Sequence, residues 1–153
     1  MVRIPWVFHE QAGARQPRGI RYRRPASVSP LAFTRQLQGV PLTGGQARGV
    51  IGAGGGATIS IGPQGLGTIW YPVMCTISTT TGALDISTCA VYLGSQAQQN
   101  LQGGQSYAGG GDVVALSVSS MTAGDLLIAV WSGGNPGDIA VINITGTMDA
   151  LAY

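Results

Sequence analysis

The arginines of this chain are its most chemically informative residues. All eight basic residues are arginines between Arg3 and Arg48, and the only acid in that span is Glu10. Five of the arginines fall within the ten residues from Arg15 to Arg24. Because guanidinium groups bind carboxylates and phosphates through paired hydrogen bonds, this cluster predicts a partner that carries one of these two anions.

Two classes of partner carry such anions. Nucleic acid would present phosphates, and Tyr22 would stack on a base, whereas neighbouring protein subunits would present carboxylates. Five clustered arginines are few for a nucleic-acid tail, and apolar side chains accompany them, so the pattern favours docking onto protein subunits over nucleic acid. The predicted contact residues are Trp6, Phe8, Arg15, Arg18, Arg21, Tyr22, Arg23, Arg24 and Phe33.

A glycine-rich stretch, residues 50–57, fits the G-x-G-x-x-A pattern of dinucleotide-binding loops. Such a loop binds pyrophosphate only between a strand and the N-terminus of a helix. The residues that follow, Thr-Ile-Ser-Ile-Gly-Pro, are β-like and stop at a proline. The stretch therefore predicts a flexible linker, and we expect no nucleotide cofactor.

Residues for hydrolytic or metal chemistry are scarce. His9 is the only histidine and there is no lysine, so a serine nucleophile in the body of the chain would lack its usual base. Asp112, Asp125 and Asp138 recur every 13 residues. Successive antiparallel strands start at opposite ends of a sheet, which keeps Asp125 away from the other two. We therefore expect no catalytic residues, no metal site and no cofactor.

The two cysteines, Cys75 and Cys89, lie nearly symmetrically about Gly82 and on the predicted core faces of neighbouring strands. Directly opposed residues on paired strands come close enough for a disulfide. A protein assembled in a reducing cytosol would keep both as buried thiols. The pattern favours the thiols and leaves the disulfide open.

Aromatic side chains offer a second kind of binding surface, because exposed rings stack on sugars. The candidates beyond the arginine-rich region are Trp70, Tyr71, Tyr92, Tyr107 and Trp131. In strands, such rings usually fill the core or form cross-strand pairs. Tyr107 alone lies in a long Gly-rich loop, so it is the residue predicted to be exposed and to contact a glycan.

Composition divides the chain into three parts. Residues 1–48 carry five prolines and no sustained hydrophobic period, which predicts an extended basic arm that becomes ordered on assembly. Residues 49–56 form the predicted glycine-rich linker. Residues 57–153 contain five aspartates and no basic residue, and they predict the folded domain.

The predicted folded domain has the period-2 pattern of β-strands. Residues 57–61, 68–78 and 86–93 alternate apolar and polar positions, and Val73 and Cys75 share the core face of the second strand. Three more strands begin at a Gly-Asp pair every 13 residues, with turn residues between them. Short strands at this spacing predict an all-β fold, an antiparallel β-sandwich with jelly-roll or immunoglobulin-like strand order.

Six short motifs have distinctive sequences: Gly62-Pro-Gln-Gly-Leu-Gly-Thr-Ile-Trp-Tyr-Pro72, Ser78-Thr-Thr-Thr-Gly82, Ser87-Thr-Cys89, Val91-Tyr-Leu-Gly94, Trp131-Ser-Gly133 and Gly146-Thr-Met-Asp-Ala-Leu151. With these motifs, residues 57–151 resemble small β-rich virion proteins of tailed bacteriophages of actinobacteria. The use of arginine without lysine suits a GC-rich genome of that kind. The resemblance implies a place in the virion and brings no catalytic residues with it.

These observations predict a non-enzymatic virion structural protein, a capsid decoration or minor capsid protein that its arm anchors to neighbouring subunits. Its expected partners are major capsid or tail subunits and further copies of itself. The alternative is a minor tail or tail-tip protein whose sandwich binds a glycan of the host surface. No stretch approaches the ~20 apolar residues of a membrane span, and the first residues lack the apolar run of a secretory signal.

Overall fold

The computed structural model describes residues 35–152, with side chains from residue 38 to residue 150, and contains ten strands. The strands are β1 Arg35–Pro41, β2 Gln46–Val50, β3 Ala57–Ile61, β4 Ile69–Thr79, β5 Thr88–Leu93, β6 Tyr107–Ala108, β7 Gly111–Val114, β8 Met121–Thr122, β9 Leu127–Ser132 and β10 Ile139–Ala152. Three single 3-10 turns complete the regular structure, at Gly82–Leu84, Gln98–Asn100 and Gln102–Gly104.

The strands form two antiparallel sheets. The first has the order β1-β10-β4-β7, with β2 also beside β10 and β8 also beside β4. The second has the order β3-β9-β5-β6. The prediction of an all-β fold with two antiparallel sheets is therefore confirmed for the described residues.

One apolar core holds the two sheets together. The first sheet contributes Ile77 and Ile142, the second contributes Val91 and Trp131, and all four side chains are buried. Alternate positions of β3, β5 and β9 face this core, as the period of two requires. Removing these side chains from water is the main source of stability for a sandwich of this kind.

Several connections cross between the sheets at one end of the sandwich, which we call the loop end. They are residues 51–56, 80–87, 109–110 and 133–138. Short backbone hydrogen bonds tie these loops together, for example from the Gly134 N–H to the carbonyl oxygen of Gly55 at 2.8 Å. The loop end is therefore an ordered part of the fold.

The predicted boundaries of the arm and the linker differ from the structure. Strand β1 and the first three residues of β2 lie within the predicted arm of residues 1–48, and the two strands together cover one edge of the long strand β10. The predicted linker contains the end of β2 and a tight turn, and Ile51 within it is buried in the core. Pairing with β10, which no local pattern reveals, overrides the weak strand propensity of these residues.

A register shift in β4 moves Val73 out of the core. Val73 has no partner on β10, as in a β-bulge, and this extra residue reverses the alternation of the strand. Trp70 consequently faces the core, while Val73, which was predicted to share a face with Cys75, is exposed. The prediction for Val73 was wrong because it assumed strict alternation along the strand, and strict alternation does not account for an inserted residue.

The two cysteines do not lie on neighbouring strands. Cys75 is on β4 in the first sheet and Cys89 is on β5 in the second, and the two strands do not pair with each other. Both are fully buried free thiols. Burial raises the pKa of each thiol to about 12, and for Cys89 the charge of Cys75 adds to the effect of burial.

We expect neither thiol to react with Ellman's reagent in the folded protein, because both are buried and neutral at ordinary pH. After unfolding in denaturant without reductant, two thiols per chain should react. Absorbance of the released thiolate counts them in both states. Fewer than two reactive thiols in the unfolded chain would contradict the free-thiol state, and rapid labelling of the folded protein would contradict their burial.

Among the described residues, no helix has the length and apolar character that crossing a bilayer requires.

Candidate functional site

The contact residues predicted at the N-terminus lie outside the described residues. We call residues 1–34 the N-terminal segment. They contain every one of these residues, namely Trp6, Phe8, Arg15, Arg18, Arg21, Tyr22, Arg23, Arg24 and Phe33. The roles predicted for them stay predictions.

The structure buries Tyr107, the residue predicted to contact a glycan. Its side chain is 7% exposed, and its hydroxyl oxygen accepts a hydrogen bond from the N–H of Ala115 at 3.0 Å. It lies in β6, opposite Cys89 on β5. The predicted exposure was wrong because the Gly-rich loop folds back as a strand over the edge of β5, and a buried ring cannot stack on a sugar.

An exposed apolar surface lies instead on the outer face of the first sheet. Tyr71, Val73 and Met74 follow one another closely on β4, and Val113 lies on the adjoining edge strand β7, opposite Thr76. Val73 is 82% exposed and Val113 is 56% exposed. We call these four apolar residues the outer-face patch.

Charged groups flank the outer-face patch unevenly. Asp149 lies on the same face, and its carboxylate accepts hydrogen bonds from the Tyr71 hydroxyl at 3.1 Å and from the Gly39 N–H at 2.8 Å. The hydrogen bond to Asp149 raises the pKa of Tyr71 above its usual value. Arg48 lies towards the loop end of this sheet, opposite Val141. The patch is therefore bordered by an anion, with the cation further along the sheet.

Sequence reasoning missed this surface because it depends on the register shift at Val73. With regular alternation from Cys75, Tyr71 and Val73 would have been buried, and Trp70, Pro72 and Met74 would have shared the outer face. Pro72, next to the shift, was a signal that could have been used, since proline in a strand favours bulges and edges.

A cavity of about 190 Å³ is the second candidate site. Its lining consists of Thr43, Gly44, Gln64, Thr68, Trp70 and Met148. This volume is enough for a ring the size of benzene, but the side chains of Thr43, Gln64 and Thr68 are engaged with Met148 or with nearby backbone. For example, the Thr43 hydroxyl donates to the Met148 sulfur at 3.4 Å, and the Thr68 hydroxyl donates to the carbonyl oxygen of Gln64 at 3.1 Å. The cavity offers few free groups that could orient a ligand.

No protein-family model, curated protein or solved structure matches this chain.

Asp112 and Asp125 stabilise turns by accepting hydrogen bonds from nearby backbone N–H groups. Asp125 accepts hydrogen bonds from the N–H and hydroxyl of Thr122 at 2.7 and 2.9 Å, which lower its pKa. Asp112 accepts the N–H groups of Ala108 and Val113. Within residues 35–152, His, Cys, Asp and Glu side chains do not gather in groups of three or more. These contacts are typical of turn residues.

Asp85 is the one aspartate whose side chain is buried, with 7% of it exposed. Its Oδ1 accepts the N–H of Ser87 at 2.9 Å. Burial acts to raise the pKa of Asp85, but the hydrogen bond from the Ser87 N–H and the nearby hydroxyls of Thr79 and Ser87 outweigh it, so the pKa is lowered. Asp85 Oδ2 and these two hydroxyl oxygens are buried and make no hydrogen bond within the described residues. The carboxylate therefore orders the 80–87 loop through the Ser87 N–H.

We expect Asp85→Asn to reduce the free energy of unfolding by about 1–2 kcal/mol near pH 7, because a buried hydrogen-bonded carboxylate is lost. A lowered folded-state pKa means that the contribution of the carboxylate is complete above the unfolded value of about 4 and is lost as the pH falls through the folded value. Urea unfolding near pH 7 and again well below pH 4 should therefore show the difference between wild type and variant shrinking in acid. An equal difference at both pH values would contradict this role.

Proposed function

We infer that this chain is a non-enzymatic structural protein of a bacteriophage particle, a capsid decoration or minor capsid protein that its N-terminal segment anchors to neighbouring subunits. A minor tail protein is the alternative location within the same particle. The phage assignment comes from the resemblance of residues 57–151 to small virion proteins. The anchoring role comes from the chemistry of the chain itself.

The observation that carries the anchoring role is the separation of charge between the N-terminal segment and the rest of the chain. The segment holds six of the eight arginines, whereas residues 49–153 hold five aspartates and no basic residue. A cationic segment that also carries aromatic side chains is suited to docking on anionic and apolar protein surfaces. In an assembly of many copies, such contacts add through avidity.

The body of the chain supports an architectural role. Its buried polar contacts fasten loops to strands, as the hydrogen bond from the Trp131 indole to Gly109 does, and its core is continuous across both sheets. The exposed apolar residues of the outer-face patch lie on a sheet face, which is a suitable surface for a protein partner. By contrast, the structure does not favour the glycan-binding alternative, because Tyr107, the residue predicted to contact the glycan, is buried.

Deletion of residues 1–34 tests the anchoring role. The core and both sheets lie in the remaining residues, so the truncated chain should keep the far-ultraviolet circular dichroism of a β-protein. We expect the truncated chain to be depleted from purified particles by at least about tenfold relative to the full chain, because the anchor supplies most of the binding energy.

A full-length variant in which Arg18, Arg21, Arg23 and Arg24 are replaced by glutamine is the matched control for chain length. It should be depleted as well if the guanidinium groups bind carboxylates. Normal incorporation of the folded, truncated chain would contradict the anchoring role.

A further inference from the structure

We propose that the outer-face patch binds the N-terminal segment of a second copy of this chain, so that neighbouring copies exchange these segments. This inference rests on the function proposed above, and it identifies the surface that receives the anchor. The partner is thus another copy of the same protein, in addition to the subunits of the shell or tail.

The apolar character of the patch is the first argument. Tyr71, Val73 and Met74 on β4 and Val113 on β7 form a continuous exposed surface on a sheet. Isolated apolar residues on a surface need no explanation, but a contiguous group on a rigid face marks an interaction site. The N-terminal segment offers suitable occupants, since it contains two phenylalanines, a tryptophan and a tyrosine.

Charge determines which apolar surface fits a cationic segment. Asp149 lies beside the outer-face patch on the same face, where its carboxylate accepts a hydrogen bond from the Tyr71 hydroxyl. Among the described residues, the hydrogen bonds to this carboxylate come from uncharged N–H and O–H groups. Within that part of the chain the anion has no cationic partner, so it is suited to pair with an arginine of the N-terminal segment, and it would repel a phosphate backbone.

The other exposed apolar residues fit a cationic segment less well. Val50 and Ile139 pair with each other at the loop end of the same sheet, two residues from Arg48, whose charge would repel arginines. Leu84 and Ile86 lie in the 80–87 loop, outside either sheet. Leu66 lies in the loop between β3 and β4, also outside either sheet. Among the described residues, the outer-face patch is the apolar sheet surface that has a carboxylate on the same face and no arginine beside it.

Chain length allows the exchange. The N-terminal segment joins the body at Arg35, which pairs with Ala152, three residues beyond Asp149 on β10. Its 34 residues span up to roughly 110 Å when extended, more than twice the ~48 Å length of β10, the longest strand. A two-fold arrangement of copies would let each donate one segment and receive another.

Photo-crosslinking of the full-length protein tests the exchange directly. We would introduce p-benzoylphenylalanine at position 73, irradiate the purified protein and separate the products by mass. We expect a covalent dimer in which position 73 is joined to a peptide from residues 1–34. The same probe at position 86, where Ile86 is 87% exposed, is the matched control and should give no such dimer. Crosslinks from position 73 to residues 1–34 within a monomer, a dimer joined elsewhere, or no crosslink would overturn the proposal.

A charge substitution gives an independent readout in solution. Val73→Arg places a cation within the patch and should weaken self-association in sedimentation experiments by about tenfold or more, because like charges at an interface are strongly unfavourable. Ile86→Arg should leave self-association unchanged. If Val73→Arg self-associates like wild type, the exchange is wrong even when the protein is found in particles. If wild-type protein is missing from particles, the proposed function is wrong whether or not the copies associate.

Discussion

Replacing Trp131 with alanine is expected to lower the free energy of unfolding by about 4 kcal/mol, the largest effect of any single change we consider. Trp131 lies in β9 between Ala57 on β3 and Cys89 on β5, and its side chain is fully buried. Its indole N–H donates to the carbonyl oxygen of Gly109 at 3.1 Å. Alanine would leave a cavity in the core and an unpaired carbonyl oxygen at the loop end.

Trp131→Phe separates these two contributions. Phenylalanine keeps most of the ring volume but cannot donate to Gly109, so we expect a smaller loss of about 1–3 kcal/mol. Urea unfolding followed by far-ultraviolet circular dichroism measures both variants without depending on tryptophan fluorescence. A loss below about 1 kcal/mol for Trp131→Ala would contradict the central position of this side chain in the core.

Gly146→Ala is expected to cost about 3 kcal/mol, because its new Cβ would collide with backbone on the neighbouring strand. Gly146 lies on β10 opposite Pro72, at the register shift. A Cβ there would overlap the carbonyl oxygen of Tyr71 and lie 3.1 Å from the Cα of Pro72. These atoms belong to a sheet that is paired on both sides of the site, so they cannot move aside cheaply.

Gly111→Ala is the matched control for this substitution. Gly111 is also a strand glycine, but a Cβ at this position meets no atom within 4 Å. Its free energy of unfolding should change by less than about 0.5 kcal/mol. If the two alanine variants were equally stable, the close approach of β10 and β4 at the register shift would be wrong. We also expect Gly146→Ala to disturb the outer-face patch, which this register shift exposes.

Local patterns were sufficient to predict the position of strands that are rich in β-branched and aromatic residues, including β4 with its bulge. Strand β3 has the predicted bounds, Ala57–Ile61, and β4 was predicted one residue early at both ends. These segments combine β-branched residues with turn residues on both sides. The predicted pairing of these strands was wrong. Strands β4 and β5 were expected to pair with each other, but they lie in different sheets.

Structure that depends on distant residues could not be predicted. Strands β1 and β2 are stabilised by β10, about 100 residues away in sequence. Their own sequences contain glycine, glutamine and arginine, which are weak strand formers. The outer-face patch likewise depends on one unpaired residue at Val73, and the burial of Tyr107 depends on how a glycine-rich loop returns to β5. The contacts predicted for residues 1–34 lie outside the described residues and stay predictions.

Quantitative mass spectrometry of purified phage particles, separated into heads and tails, tests the central claim most directly. We predict that the 15.6 kDa chain is present, and that its copy number relative to the major capsid protein identifies its location. Many copies in the head fraction would correspond to a capsid decoration or minor capsid protein, and a few copies in the tail fraction to a minor tail protein. Absence from both fractions would contradict the structural role in the virion.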